Sequence, residues 1–114
     1  MLGWLLSLVC AGSALAAEAQ IQLSQLPVEA RRTLVLIRAG GPFPHSKDGS
    51  VFGNRELLLP RQKRGYYHEY TVDTPGARDR GARRIIVGGE VRRSGDIWYT
   101  SDHYASFAQV VGLR

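Results

Sequence analysis

Between Tyr66 and Ser101 lie three short runs, "YYHEYTVDT", "RRIIVGG" and "DIWYTS", rich in aromatic and β-branched residues and separated by turn residues such as Pro75-Gly76 and Ser94-Gly95. Such runs fit a pleated, half-buried surface, and they read as three strands of an antiparallel meander, with "FAQVVGL" as a further candidate. The chain before them differs. "IQLSQLPVEARRTLVLIRAGG" reads as a short strand leading into one helix: Ser24 or Gln25 enters the turn, Pro27 suits the first helical position, Glu29 the positive helix start, and Gly40-Gly41 the far end. Ala30, Leu34, Ile37 and nearby Leu36 make an apolar stripe opposite Arg31, Arg32 and Arg38. Pro42, Pro44, Gly49, Gly53 and Pro60 punctuate the stretch that follows, which leaves a long loop region with at most one short strand. One helix followed by a run of strands argues for an α+β fold, with the N-terminal helix packed on a small antiparallel sheet.

A chain of 114 residues fits one domain, and its hydrophobic content of 44% and charged content of 22% fit a soluble globular protein. Residues 1–16, "MLGWLLSLVCAGSALA", carry no charge and end in the small-residue pattern Ala14-Leu15-Ala16. They are expected to be a secretory signal peptide cleaved after Ala16, leaving residues 17–114 as a single domain with no remaining membrane segment. The usual basic residue near the start is missing, so a misassigned start or an uncleaved anchor is the alternative. Cys10 is the only cysteine, so the expected mature domain has no disulfide.

The formal charge is +5, and thirteen of the fifteen basic residues are Arg. The planar guanidinium fork suits phosphate, which makes a polyanion a plausible partner; a solvated basic surface would show the same charge. Four arginines occupy the seven positions from Arg78 to Arg84, just after an acid buried in an aromatic run. Strand alternation puts Tyr67, Glu69 and Thr71 on one face, His68 and Tyr70 on the other, and Arg84 with Ile86 on one face of the next strand. If the two strands pair, Glu69 and Arg84 meet, with Arg78 and Arg80 hanging over them. That arrangement would keep a carboxylate ionised, as a base must be; on spacing alone it is equally a surface ion pair of little energetic weight.

The blocks "GPFPHSKDGSVFGNRE", "GYYHEYTVDTPGARDRGARRII" and "YTSDHYASF" resemble, in order and over nearly all of the expected mature chain, the microbial guanyl-specific ribonucleases of the barnase-like family. The resemblance implies a secreted, metal-independent endoribonuclease without cofactor. It would cleave single-stranded RNA after guanosine to a 2′,3′-cyclic phosphate and hydrolyse that to a 3′-phosphate. It further implies Glu69 as general base, Arg80 and Arg84 as phosphate binders, His103 as general acid and Tyr104 as a phosphate contact. Glu56 would recognise guanine within a loop of Phe52, Gly53, Asn54 and Arg55. A small acidic barstar-like inhibitor is an implied partner, and the protein is expected to be a monomer. These roles make chemical sense. RNA cleavage needs a base for the 2′-hydroxyl and an acid for the departing 5′-oxygen, and fixed guanidinium donors stabilise the charge that builds up between those steps. A carboxylate also matches the adjacent N–H donors on the Watson–Crick edge of guanine, and aromatic rings pack against unpaired bases.

The chain departs from the family pattern in three places. His45 stands where relatives have tyrosine, Gly53 replaces a larger residue, and the disulfide that joins terminal strands has no cysteines to form it. His68 is expected to be structural, and no pair of His, Cys or Asp has metal-ligand spacing. Two other readings remain open at this point: a noncatalytic RNA-binding relative, and a ribonuclease acting as an antibacterial toxin.

Overall fold

The computed structural model describes residues 19–113; the expected signal peptide, 1–16, and Cys10 lie outside them. The expected meander is present as β3 (Tyr67–Thr71), β4 (Arg84–Gly88), β5 (Ile97–Thr100) and β6 (Ala108–Val111), each antiparallel to the next. A two-residue strand, β2 (Ser50–Val51), pairs antiparallel with β3, within the limit of at most one short strand that the loop region's prolines and glycines set. The antiparallel expectation fails at the other edge. β1 (Gln20–Gln22) runs parallel to β6, with Ile21 opposite Val110, so the six-stranded sheet, ordered β1-β6-β5-β4-β3-β2, is mixed. As the last strand of the meander, β6 presents an open edge of unpaired N–H and C=O groups, and β1 covers it. This pairing, together with buried Val110, holds the terminal strands to each other.

Helix α1 (Val28–Ala39) starts after Pro27, one position later than expected, and stops at Gly40. Gly40 adopts the left-handed conformation, φ 87°, and the N–H groups of Gly40 and Gly41 return to the carbonyl of Leu36 at 2.9 and 3.0 Å. Ala30, Leu34 and Ile37 are buried against Tyr70, Val72, Ile85, Val87, Ile97, Tyr99 and Val110; Leu36 is only half-buried. Each fully buried aliphatic side chain here stabilises the fold by about 1.5–3 kcal/mol. Thr33 ties helix to sheet by donating to the carbonyl of Thr71 at 3.2 Å.

The helix thus covers one face of the sheet. The opposite face carries Tyr67, Ile86 and Trp98, packed with Leu59 and bordered by Phe52, Tyr104 and Phe107. On this second face, at its polar end, lie Glu69, Thr71, Arg84 and Thr100, because the registers set Thr71 opposite Arg84 and Arg84 opposite Thr100.

Candidate active site

Register places Glu69 opposite Ile86, so Arg84, two residues earlier on β4, is its diagonal neighbour on the same face. Arg84 Nε lies 3.8 Å from Glu69 Oε1, and the arginine side chain is only 3% exposed. Its position is fixed by the backbone, since Nη1 donates to the carbonyls of Gly81 and Arg83 at 2.9 and 2.8 Å. Arg80 arrives from the loop between β3 and β4. Its Nε and Nη2 donate to Thr71 Oγ1 at 3.1 and 2.9 Å, and Nη2 reaches Glu69 Oε1 at 3.5 Å. Among the described residues Arg80 Nη1 and Arg84 Nη2 have no protein acceptor, which leaves one donor group on each guanidinium for an outside anion. Of the remaining two arginines, Arg83 pairs with Glu29 of the helix at 3.4 Å, and Arg78 stands exposed instead of joining Arg80 above Glu69.

Tyr104 completes the cluster. Its hydroxyl donates to Glu69 Oε1 at 2.6 Å and accepts from Arg84 Nε at 3.1 Å, while the Arg84 guanidinium carbon lies 5.8 Å from the ring centre. Burial, followed by the bond to Glu69, pushes the Tyr104 hydroxyl above its ordinary value, so it remains a donor in the neutral range. The sequence resemblance offered Tyr104 as a phosphate contact; the structure adds that it holds the carboxylate and the buried arginine in mutual register.

His103 and Tyr104 both have left-handed backbones, φ 55° and 73°, which non-glycine residues adopt at a cost. The turn is held by its surroundings. His103 N–H donates to the carbonyl of Ala82 at 2.9 Å, Tyr104 N–H to Thr100 Oγ1 at 3.2 Å, and Asp102 accepts from Thr100 Oγ1 at 2.8 Å and from Ser106 N–H at 3.0 Å. These bonds, led by the one from the Ser106 hydroxyl, bring the Asp102 carboxyl down to about 2. Asp102 is therefore engaged with Thr100 and Ser106 rather than with His103, whose exposed imidazole faces the cleft described next.

That cleft, of about 550 Å3, is lined by Phe52, Gly53, Asn54, Arg55 and Glu56 on one side and by His103, Tyr104, Ala105 and Phe107 on the other. All the expected base-binding residues therefore reach one cavity that also contains the expected acid. Phe52 stacks on Tyr104 with ring centres 5.2 Å apart, linking the two walls. A turn closed by the Leu57 N–H to Asn54 carbonyl bond, 3.0 Å, puts Arg55 and Glu56 at its tip. Asn54 is buried with φ 52°; its side chain bonds both N–H and carbonyl of Leu59, at 3.1 and 3.0 Å, and also reaches the Pro60 carbonyl. Its side chain thus shapes the loop, and what it can offer a ligand is its backbone. Leu58 and Phe107 also line the cleft and were not singled out in the sequence, where each is one apolar residue among many. Neither His45, bonded to Asp73 at 3.5 Å, nor His68, on the opposite face of β3, is among its lining residues.

The arrangement can hold a flat base beside a carboxylate and place an attached phosphate near two guanidinium groups, an imidazole and a second carboxylate. The sequence model described as ribonuclease matches residues 10–111. The chain is 59% identical over 88 residues to guanyl-specific ribonuclease Sa of Kitasatospora aureofaciens, covering 77% of this chain and 88% of that protein. It is 54% identical over 88 residues to guanyl-specific ribonuclease St of Saccharopolyspora erythraea, covering 77% and 83%. Among solved structures, ribonuclease Sa2 with guanosine-2′-cyclophosphate matches with a TM-score of 0.77 and 43% identity, covering 85% of this chain and 99% of that one.

Proposed function

This chain belongs to the ribonuclease family, and from that premise we propose that it is a guanyl-specific endoribonuclease working through a 2′,3′-cyclic phosphate. The observation that carries the reading is the convergence on Glu69 Oε1 of Tyr104, Arg80 and Arg84, at 2.6, 3.5 and 3.8 Å, beside a cleft that contains both His103 and Glu56. Glu69 takes the proton of the ribose 2′-hydroxyl, whose oxygen attacks the adjacent phosphorus. His103 gives a proton to the departing 5′-oxygen. The free donors of Arg80 and Arg84 meet the phosphate oxygens as charge builds on them, and the buried carbonyl bonds of Arg84 keep it from having to reorganise. In the second step the roles reverse: His103 takes a proton from water, hydroxide adds to phosphorus, and Glu69 returns a proton to the 2′-oxygen.

Glu56 accepts the two N–H donors of guanine, and the backbone N–H groups of the turn at residues 54–56 suit its carbonyl oxygen. Adenine lacks that donor pair. Phe52 and Arg55 pack against the base. Single-stranded RNA is the substrate because a paired guanine hides this edge. The apolar, uncharged residues 1–16 support export with cleavage after Ala16, and the basic cleft suits a small acidic inhibitor of the barstar type; the protein acts as a monomer.

The test is cleavage by the purified protein of an oligonucleotide containing each base once, with excess chelator. Fragments ending in guanosine 2′,3′-cyclic phosphate, then 3′-phosphate, are expected. Binding without cleavage would make the protein a noncatalytic RNA-binding relative, and cleavage after every base would refute the role of Glu56. Killing of neighbouring bacteria by the exported protein would identify the antibacterial role.

A further inference from the structure

Four cations belong to the base-binding loop and the segment that follows it; Arg55 lines the cleft, and Arg64 reaches its rim at Gly53. Arg55, Arg61, Lys63 and Arg64 are all exposed, and none has an acidic partner among the described residues. Three of them fall within four consecutive positions, where like charges repel unless an anion lies across them. Their segment is also fastened to the base-binding loop. Asn54 bonds Leu59 on both its N–H and its carbonyl, the Tyr67 hydroxyl donates to the Pro60 carbonyl at 2.6 Å, and Tyr66 N–H closes a turn onto the Lys63 carbonyl at 3.1 Å. Arg64 Nη1 lies 3.6 Å from the point where a Cβ on Gly53 would stand, so the glycine and the guanidinium are in contact range at the rim of the cleft. These bonds set the backbone that carries Arg61, Lys63 and Arg64 relative to the base-binding loop.

Resting on the ribonuclease reading above, we propose that this rim is a second phosphate-binding site, for the RNA chain on the 5′ side of the cleaved guanosine. The phosphate on the 3′ side of that nucleoside is met by Arg80, Arg84 and His103, and the departing 3′ portion leaves along the 101–107 wall. The preceding nucleotides then run along the opposite border, where Arg61, Lys63 and Arg64 meet their phosphates. Each phosphate neutralised on a single strand adds about 0.7 to the log–log slope of affinity against salt.

The experiment compares wild type with the triple variant Arg61→Gln, Lys63→Gln, Arg64→Gln on three substrates: a guanosine-containing dinucleotide, and oligonucleotides extending the same dinucleotide on the 5′ side only or on the 3′ side only. At low salt kcat/KM on the 5′-extended substrate is expected to fall about 10-fold and its salt slope by about 1.4, the loss of two phosphate contacts, with the other two substrates unchanged. A triple variant outside the cleft lining, Arg32→Gln with Arg92→Gln and Arg93→Gln, removes the same charge and should change none of the three. Equal loss on the 3′-extended substrate, equal loss in the control variant, or no loss at all would each overturn the proposal. Binding of versions with 2′-deoxyguanosine, which lack the attacking hydroxyl, gives the same comparison by fluorescence anisotropy. A protein that binds but never cuts would therefore refute the ribonuclease reading while the rim is still judged on its own.

Discussion

Replacing Glu69 by Gln tests the centre of the cluster. Three donors converge on its Oε1, the Tyr104 hydroxyl at 2.6 Å, Arg80 Nη2 at 3.5 Å and Arg84 Nε at 3.8 Å. Glu69→Gln keeps an oxygen for Tyr104 and nearly all of the packing, but it removes both the base and the negative charge. A positioned general base contributes about 10² to 10⁴-fold, so the barrier should rise by about 3–5 kcal/mol. The phosphate site, freed of a nearby carboxylate, should bind substrate as well as before or better, so the loss should appear in kcat with KM unchanged or lower. Stability should respond as well. Arg84 is 3% exposed, and removing the partner of a buried charge costs about 3–5 kcal/mol. Glu69 and Arg80 are 15% and 27% exposed, so water replaces part of the lost interaction and about 2 kcal/mol is the expected cost. That leaves an ordinary domain folded. Steady-state kinetics on a guanosine dinucleotide and urea unfolding of the same preparations measure the two effects. Unchanged kcat in nuclease-free protein, with stability lowered as expected, would show Glu69 to be an ion-pair partner only and would refute the assignment of the base.

His103→Gln should cost a similar 10² to 10⁴-fold in transesterification while changing stability by no more than about 0.5 kcal/mol, because the ring is exposed and bonds no other side chain among the described residues. Asn54→Ala leaves the Leu59 N–H buried without its acceptor and puts alanine at φ 52°, for an expected loss of about 2–3 kcal/mol; cleavage after guanosine relative to adenosine should fall with it, measured on matched dinucleotides. Ser106→Ala removes the leading cause of the low Asp102 value, so the carboxyl should titrate upward from about 2 toward 3.8 in an NMR titration. A depressed folded-state value gives stability that is present above 3.8 and lost as pH falls toward 2; the variant should therefore lose less stability over that window, and an unmoved Asp102 titration would refute the clamp.

Local rules were sufficient for much of this protein. Period-two alternation put Glu69 and Arg84 on one face and His68 on the other, the proline and glycine positions bounded the helix to within a residue, and the aromatic runs marked β3, β4 and β5, because each depends on neighbours within a few residues in sequence. Matching blocks of sequence brought residues 52–56, 103 and 104 together as candidates, and the fold does join them in one cleft. What the folded chain alone decided is how each group is held. In the run Arg78, Arg80, Arg83 and Arg84, alternation marks Arg84 and the resemblance adds Arg80, but only the fold shows that Thr71 captures Arg80, Glu29 captures Arg83, β4 buries Arg84 and Arg78 stays exposed. Tyr104 reaches Glu69 across 35 positions of sequence, and Asp102 turns to Thr100 and Ser106 and away from His103, through left-handed backbones that no periodicity signals. The parallel pairing of β1 with β6 is of the same kind. An edge strand accepts a partner from any part of the chain, and the choice between parallel and antiparallel is made only when the helix has packed and delivered Gln20–Gln22 to that edge.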